Sequence, residues 1–143
     1  MEKLRILGFA GSLRVGSYNR ALLRAAIDLL PDGITLDIFD LNSIPPFNQD
    51  LEMNMPEKVK EFKSKIREAD AILIATPEYN YSVPGVLKNA SISDQDHMEI
   101  IHSTTNQLQS LVHPLECLEE QEHSTICARR SYSSICIQLT LQR

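Results

Sequence analysis

The sequence predicts an α/β fold built on a parallel sheet, and three observations predict it. Apolar runs of strand length recur at Leu4 to Ala10, Ile34 to Phe39 and Ala71 to Ala75. Segments with helical spacing of apolar residues lie between them, so the order is βαβαβ, and short helices joining apolar strands imply right-handed crossovers. The pattern then stops: all five glycines (8, 11, 16, 33 and 85) precede residue 86, whereas all three cysteines and all four histidines follow residue 90.

The elements follow in order. Leu4 to Ala10 ends in Gly11-Ser12 and is apolar throughout, as a strand covered on both faces requires. A polar loop, Gly11 to Ser17, leads to a helix from Asn19, where Leu22, Leu23, Ala26, Ile27 and Leu30 share one face and Pro31-Asp32-Gly33 stops it. Ile34, Leu36 and Ile38 alternate with polar neighbours, giving a second strand over 34–39. Asp40 to Met55, with Pro45-Pro46, reads as an irregular loop. Asn54 is placed to cap the next helix, with Pro56 in the first turn and Glu57 three residues on, and Val59, Phe62 and Ile66 form its apolar face. Ala71 to Ala75 is the third strand, ended by Thr76-Pro77.

Composition bounds the function. The chain has 143 residues, 43% hydrophobic and 23% charged, which suits one soluble domain. A net charge of -5 argues against a nucleic-acid surface, and no apolar run spans a bilayer. With no signal-like N-terminal segment, the cytoplasm is the expected location. The expected partner is a small molecule. The cysteines show no CxxC spacing, and His97, His102, His113 and Cys117 share no ligand spacing, so no metal site is expected.

On a parallel sheet, ligands bind at the carboxyl ends of the strands, which singles out the loops at 11–19 and 76–84. The first packs Ser12, Arg14, Ser17 and Asn19 between a strand and a helix N-terminus, where free N–H groups and the helix dipole suit a phosphate dianion. It is neither GxxxxGK[ST] nor GxGxxG, so a terminal monophosphate fits better than a dinucleotide. Taken alone, an ordinary βα turn with Ser17 as helix cap remains an equal reading. The second loop, Thr76-Pro77-Glu78-Tyr79-Asn80-Tyr81-Ser82-Val83-Pro84-Gly85, offers two tyrosine faces and a proline-stiffened backbone that can read the edge of a planar ring; by itself it is also a rigid surface turn. Side by side, the two loops describe a site for a phosphate carrying a flat heterocycle, as in FMN.

The segments GSLRVGSYNR and TPEYNYSVPGVLKNA resemble the two signature stretches of the NADPH-dependent FMN reductase family, over residues 1 to 90. The resemblance implies a flavodoxin-like three-layer α/β/α fold of strand order 2-1-3-4-5, bound FMN, NADPH or NADH as electron donor, a small-molecule electron acceptor and usually a homo-oligomer. It implies that Ser12, Arg14, Ser17, Tyr18 and Asn19 hold the phosphate and that Pro77, Glu78, Tyr79 and Asn80 lie against the ring. The resemblance implies that the flavin supplies the chemistry, so no acid, base or nucleophile is assigned; Glu78 as a general acid is disfavoured because in the family pattern this loop serves mainly through its backbone. A flavodoxin-type electron carrier, with a different phosphate loop and a more acidic surface, stands well behind.

Beyond Ala90 the family pattern is lost. A helix beginning IDW, a fourth strand and a glycine-rich loop are expected, but the chain reads Ser91-Ile92-Ser93-Asp94 and holds no later glycine. Codons read from the third base of each codon plus the first two of the next recover that continuation. Met98-Glu99 then gives only Gly, Glu116-Cys117 only Met or Val, and permitted choices include a strand KPVAIIG followed by GASTG; the tryptophan of IDW is not permitted. These segments are not in the chain itself. Residues 91–143 are therefore expected to be an out-of-frame, poorly ordered tail, leaving the parallel sheet truncated after its third strand with Ile72 to Ala75 on a bare edge. FMN binding is expected to be weak or absent, and the alternative function is a non-catalytic variant, inert or associating with full-length subunits.

Overall fold

In the computed structural model, which describes residues 3–80, 82–93, 125–130 and 133–141, the expected strands and helices form in the expected order. These are β1 (Leu4–Ala10), α1 (Tyr18–Ile27), β2 (Ile34–Phe39), α2 (Glu57–Glu68) and β3 (Ala71–Pro77); α3 (Gly85–Ser93), β4 (Thr125–Arg130) and β5 (Ser133–Leu141) follow them, the last two in the segment expected to be a poorly ordered tail. Short 3-10 turns at Leu41–Ser43 and Gln49–Asn54 break up the long connection after β2.

The sheet order is β2-β1-β3-β5-β4, and its first three strands are parallel, with Ile6 opposite Leu36 on one side and Ala71 on the other. This is the flavodoxin-like arrangement expected, and its parallel part ends at β3. The bare edge expected at Ile72 to Ala75 is not found. β5 runs antiparallel along all of β3, from Ala71 opposite Leu141 to Pro77 opposite Ile135, so the backbone groups of that edge have partners. The poor order expected of the tail falls, for 94–124, outside the described residues.

Alternation along each strand sorts side chains between two layers. On one face Leu7, Phe9, Phe39, Ile72 and Ile74 meet Val59, Phe62 and Ile66 of α2 and Leu87 and Ala90 of α3 in the main core. Phe62 is its centre, 5.4 Å from the Phe9 ring in an edge-on contact and 5.0 Å from Phe39. On the other face α1 covers a smaller cluster of Ala10, Leu23 and Ala75.

Two boundaries shift for local reasons. Asn54 does not cap α2: it ends the 3-10 turn, and Met55 is extended (ψ 132°), as the residue before a proline must be. Pro56 takes the cap position with no side-chain bond, its carbonyl accepting from Val59 N and Lys60 N. α1 ends at Ile27, three residues short of Leu30, because Pro31 forces the chain out of the helix and Leu29 and Leu30 close 3-10 turns instead.

Candidate functional site

The carboxyl ends of β1 and β3 are neighbours, and the two loops leaving them meet. Gly11 N donates to Ala75 O at 2.9 Å, joining the loops at their roots. The approach is close: a Cβ on Gly11 would lie 2.1 Å from Thr76 Oγ1 and 2.9 Å from Thr76 Cβ. Glycine at 11 lets the first loop pass over the end of β3. Thr76 is buried and its hydroxyl donates to Pro77 O at 3.1 Å.

In the first loop, Ser17 is the N-cap of α1, extended at φ -69° and ψ 127°, and its Oγ accepts from Arg20 N at 3.4 Å. The capping role is thus realised, and Ser17 is buried at the helix end. Asn19 is 5% exposed, and its Oδ1 is the only buried side-chain polar atom without a partner among the described residues. An orphaned buried amide oxygen at a helix N-terminus is costly unless something fills the space beside it. Amide oxygen and nitrogen exchange places by a flip about the side chain, which turns this orphan into an N–H donor for an anion. The first-turn N–H groups of the helix add to the same positive end.

Arg14 folds back on its own loop. Its Nη2 donates to Gly16 O at 2.8 Å and its guanidinium lies 5.8 Å from the centroid of Tyr18. Tyr18 is 74% exposed and Ser12 is half-buried. The loop therefore has an inner wall of Ser17 and Asn19 and an outer rim of Arg14 and Tyr18. Arg20, also in the first turn, is held by Asp40 at the end of β2 (2.6 Å).

The second loop is a tight reversal. Pro77 ends β3, Glu78 is half-buried, and Tyr79 and Ser82 exchange backbone hydrogen bonds, Tyr79 N to Ser82 O at 3.0 Å and Ser82 N to Tyr79 O at 3.1 Å. Asn80 sits between them at φ 53°, a left-handed conformation that asparagine tolerates better than most residues. Tyr79 is 59% exposed beside it. Val83 and Pro84 are buried and anchor the far end.

The structure thus brings the two sets of expected residues to adjoining loops at one end of the sheet, with Tyr18 on the rim. Sequence reading passed over the closeness of Gly11 to Thr76 and the side chain of Asn89, whose bonds are described below. The only signal for Gly11 was its place directly after a strand. Among the described residues there is no group of three metal-ligating side chains, and no helix is long and apolar enough to cross a membrane.

A family described as NADPH-dependent FMN reductase matches residues 4–91. An NAD(P)H-dependent FMN reductase of Pseudomonas aeruginosa is 50% identical over 90 residues, covering 62% of this chain and 49% of that protein. An NAD(P)H:quinone oxidoreductase of Solanum tuberosum is 49% identical over 92 residues, covering 61% and 47%. Among solved structures, the flavoenzyme NAD(P)H:(acceptor) oxidoreductase FerB of Paracoccus denitrificans superposes with a TM-score of 0.60 at 34% identity, over 63% of this chain and 50% of that one. The chain spans about half the length of the curated relatives it matches.

Proposed function

This chain belongs to the NADPH-dependent FMN reductase family, and from that premise we propose that its first ninety residues carry the phosphate half and the first ring loop of an FMN site serving an NAD(P)H-dependent oxidoreductase. The observation that carries the reading is the buried, unpartnered Oδ1 of Asn19 at the α1 N-terminus, beside a loop rooted against the end of β3. With the amide turned over, so that Nδ2 takes the place of the unpartnered Oδ1, it donates to a phosphate oxygen.

In this reading Ser12, Ser17 and Asn19 donate to the phosphate, Arg14 swings from Gly16 O to add a charge-assisted bond, and Tyr18 screens the outer side. Pro77, Glu78, Tyr79 and Asn80 flank the ring, with the fixed reversal at Asn80 presenting backbone N–H and C=O groups to its edge. FMN held by these residues would supply the redox chemistry between NADPH or NADH and a small acceptor. The protein's part is to bind and orient it. The acceptors named for relatives are quinones, and a quinone or similar small molecule is the proposed acceptor here, in the cytoplasm. The chain as expressed is tested by flavin absorbance per protomer after purification and by NADPH oxidation with a quinone. Absence of both refutes the enzyme reading.

A second reading has its own observation. Where the family pattern calls for a parallel fourth strand and a glycine-rich loop, β3 is flanked by the antiparallel β5, and no glycine follows Gly85. We infer that residues 91–143 are translated out of frame and that this chain is a non-catalytic variant with weak FMN binding, inert or associating with full-length subunits. Resequencing across the codons for Ala90 and Ser91 decides it, since an uninterrupted frame matched by related transcripts would exclude the shift.

A further inference from the structure

Asn89 lies one turn into α3, and its side-chain amide bonds in two opposite senses across the fold. Its Oδ1 accepts from Phe47 N at 2.8 Å and its Nδ2 donates to Pro45 O at 2.8 Å. Turning the amide over would set N–H against N–H and oxygen against oxygen, so the two contacts fix its orientation. Pro45 and Pro46 have no backbone N–H, which makes Phe47 N the first donor this segment offers after Ile44. Asn89 takes it.

The other end of the same helical turn reaches the ring loop. Leu87 N and Lys88 N both donate to Pro84 O at 3.0 Å, and Pro84 closes the loop that begins at Thr76. Leu87 and Val83 are buried in the main core with Phe39, Leu41 and Ile44, so α3 has a fixed depth. Its remaining freedom is a rotation or slide along the core, and a side chain clamped to two backbone groups of the β2 connection stops both.

We infer that Asn89 is a positioning residue for the ring half of the site: through α3 it locks the loop 76–84 to the segment 44–47, so that the reversal at Asn80 is held at a fixed height over the carboxyl ends of β1 and β3. The inference rests on the proposal that this loop faces the flavin ring. Asn89 touches no ligand in this role.

The test uses the full chain and amide hydrogen exchange, which reads local opening without requiring flavin. Asn89→Asp keeps an acceptor for Phe47 N but sets a carboxylate oxygen against Pro45 O; at about pH 4 its protonated form regains a donor. The expected result near pH 7 is a loss of about tenfold in the protection factors of Tyr79 and Ser82 as well as Phe47, with the amides of β1 and β2 unchanged, and recovery at about pH 4. Asn89→Leu should lose protection at both pH values. Loss confined to Phe47, or spread evenly over β1 and β2, overturns the inference. FMN titration of the unaltered chain is a separate arm: its failure refutes the flavin reading, while the exchange pattern still decides whether Asn89 controls the loop.

Discussion

Replacing Gly11 with alanine places a methyl group where Thr76 already is. The new Cβ would stand 2.1 Å from Thr76 Oγ1 and 2.9 Å from Thr76 Cβ, both far inside van der Waals contact. Thr76 is 2% exposed, β-branched and the penultimate residue of β3, so it cannot swing aside as a long surface chain would. Either the loop lifts from β3, stretching the 2.9 Å bond from Gly11 N to Ala75 O, or the end of β3 moves. Overpacking of this kind costs about 1–3 kcal/mol, against which loss of glycine's freedom in the unfolded chain returns about 0.4–1 kcal/mol. The net effect is a destabilisation of about 1–2 kcal/mol, measurable as a lower urea midpoint by circular dichroism at unchanged slope. Thr76→Ala removes Oγ1 but leaves Cβ, so the double variant Gly11→Ala/Thr76→Ala should recover part of the loss. A Gly11→Ala chain as stable as the parent, or a double variant showing no coupling, refutes the argument that the loops are pinned by this approach.

The other predictions concern the core, the cap, the reversal and the sheet edge. Phe62→Ala empties the centre of the aromatic cluster and should cost about 3–5 kcal/mol, enough to leave much of the protein unfolded at 37 °C in a thermal melt. Ser17→Ala removes the acceptor for Arg20 N and should lower stability by about 1 kcal/mol; if Ser17 also serves the phosphate, FMN affinity falls while riboflavin affinity does not, as flavin fluorescence titration will show. Asn80→Gly should leave stability unchanged or slightly raised, whereas Asn80→Val, strained at φ 53°, should lower the melting temperature. The hydrogen bond from Lys65 to Asp37 raises the lysine pKa above its ordinary value. Its stabilisation is therefore present at neutral pH and lost as pH climbs through the raised value, so Lys65→Met should flatten the alkaline limb of a pH–stability curve. Both groups are more than a third exposed, counting 34% and 62% of side-chain surface, and added salt should shrink the difference.

Much of this fold could be read from local pattern. β1 and β2 have the predicted ends because their apolar runs stop at glycine or charge, and α2 buries Val59, Phe62 and Ile66 as their spacing requires. β3 runs two residues past the predicted Ala75, since Thr76 and Pro77 still pair with Cys136 and Ile135. That pairing joins residues far apart in sequence, and nothing in the tail's local pattern announces it. The same division holds for the site. Donor-rich composition singled out the loop at 11–19 as a candidate, and the buried Oδ1 without a partner belongs to its last residue, Asn19. The approach of Gly11 to Thr76 and the clamp from Asn89 to Phe47 were invisible because each depends on two distant segments arriving together.

The antiparallel strand along β3 also has a consequence in time. β4 and β5 are joined by a two-residue connection and can pair with each other early, but β5 must close a long loop before it meets β3. Until then the strand Ala71-Ile72-Leu73-Ile74-Ala75 waits with its hydrogen-bonding edge open, and on a ribosome its partner emerges more than fifty residues later. Refolding yield should accordingly fall as protein concentration rises, with encounters between unfinished chains competing against the slow arrival of residues 133–141.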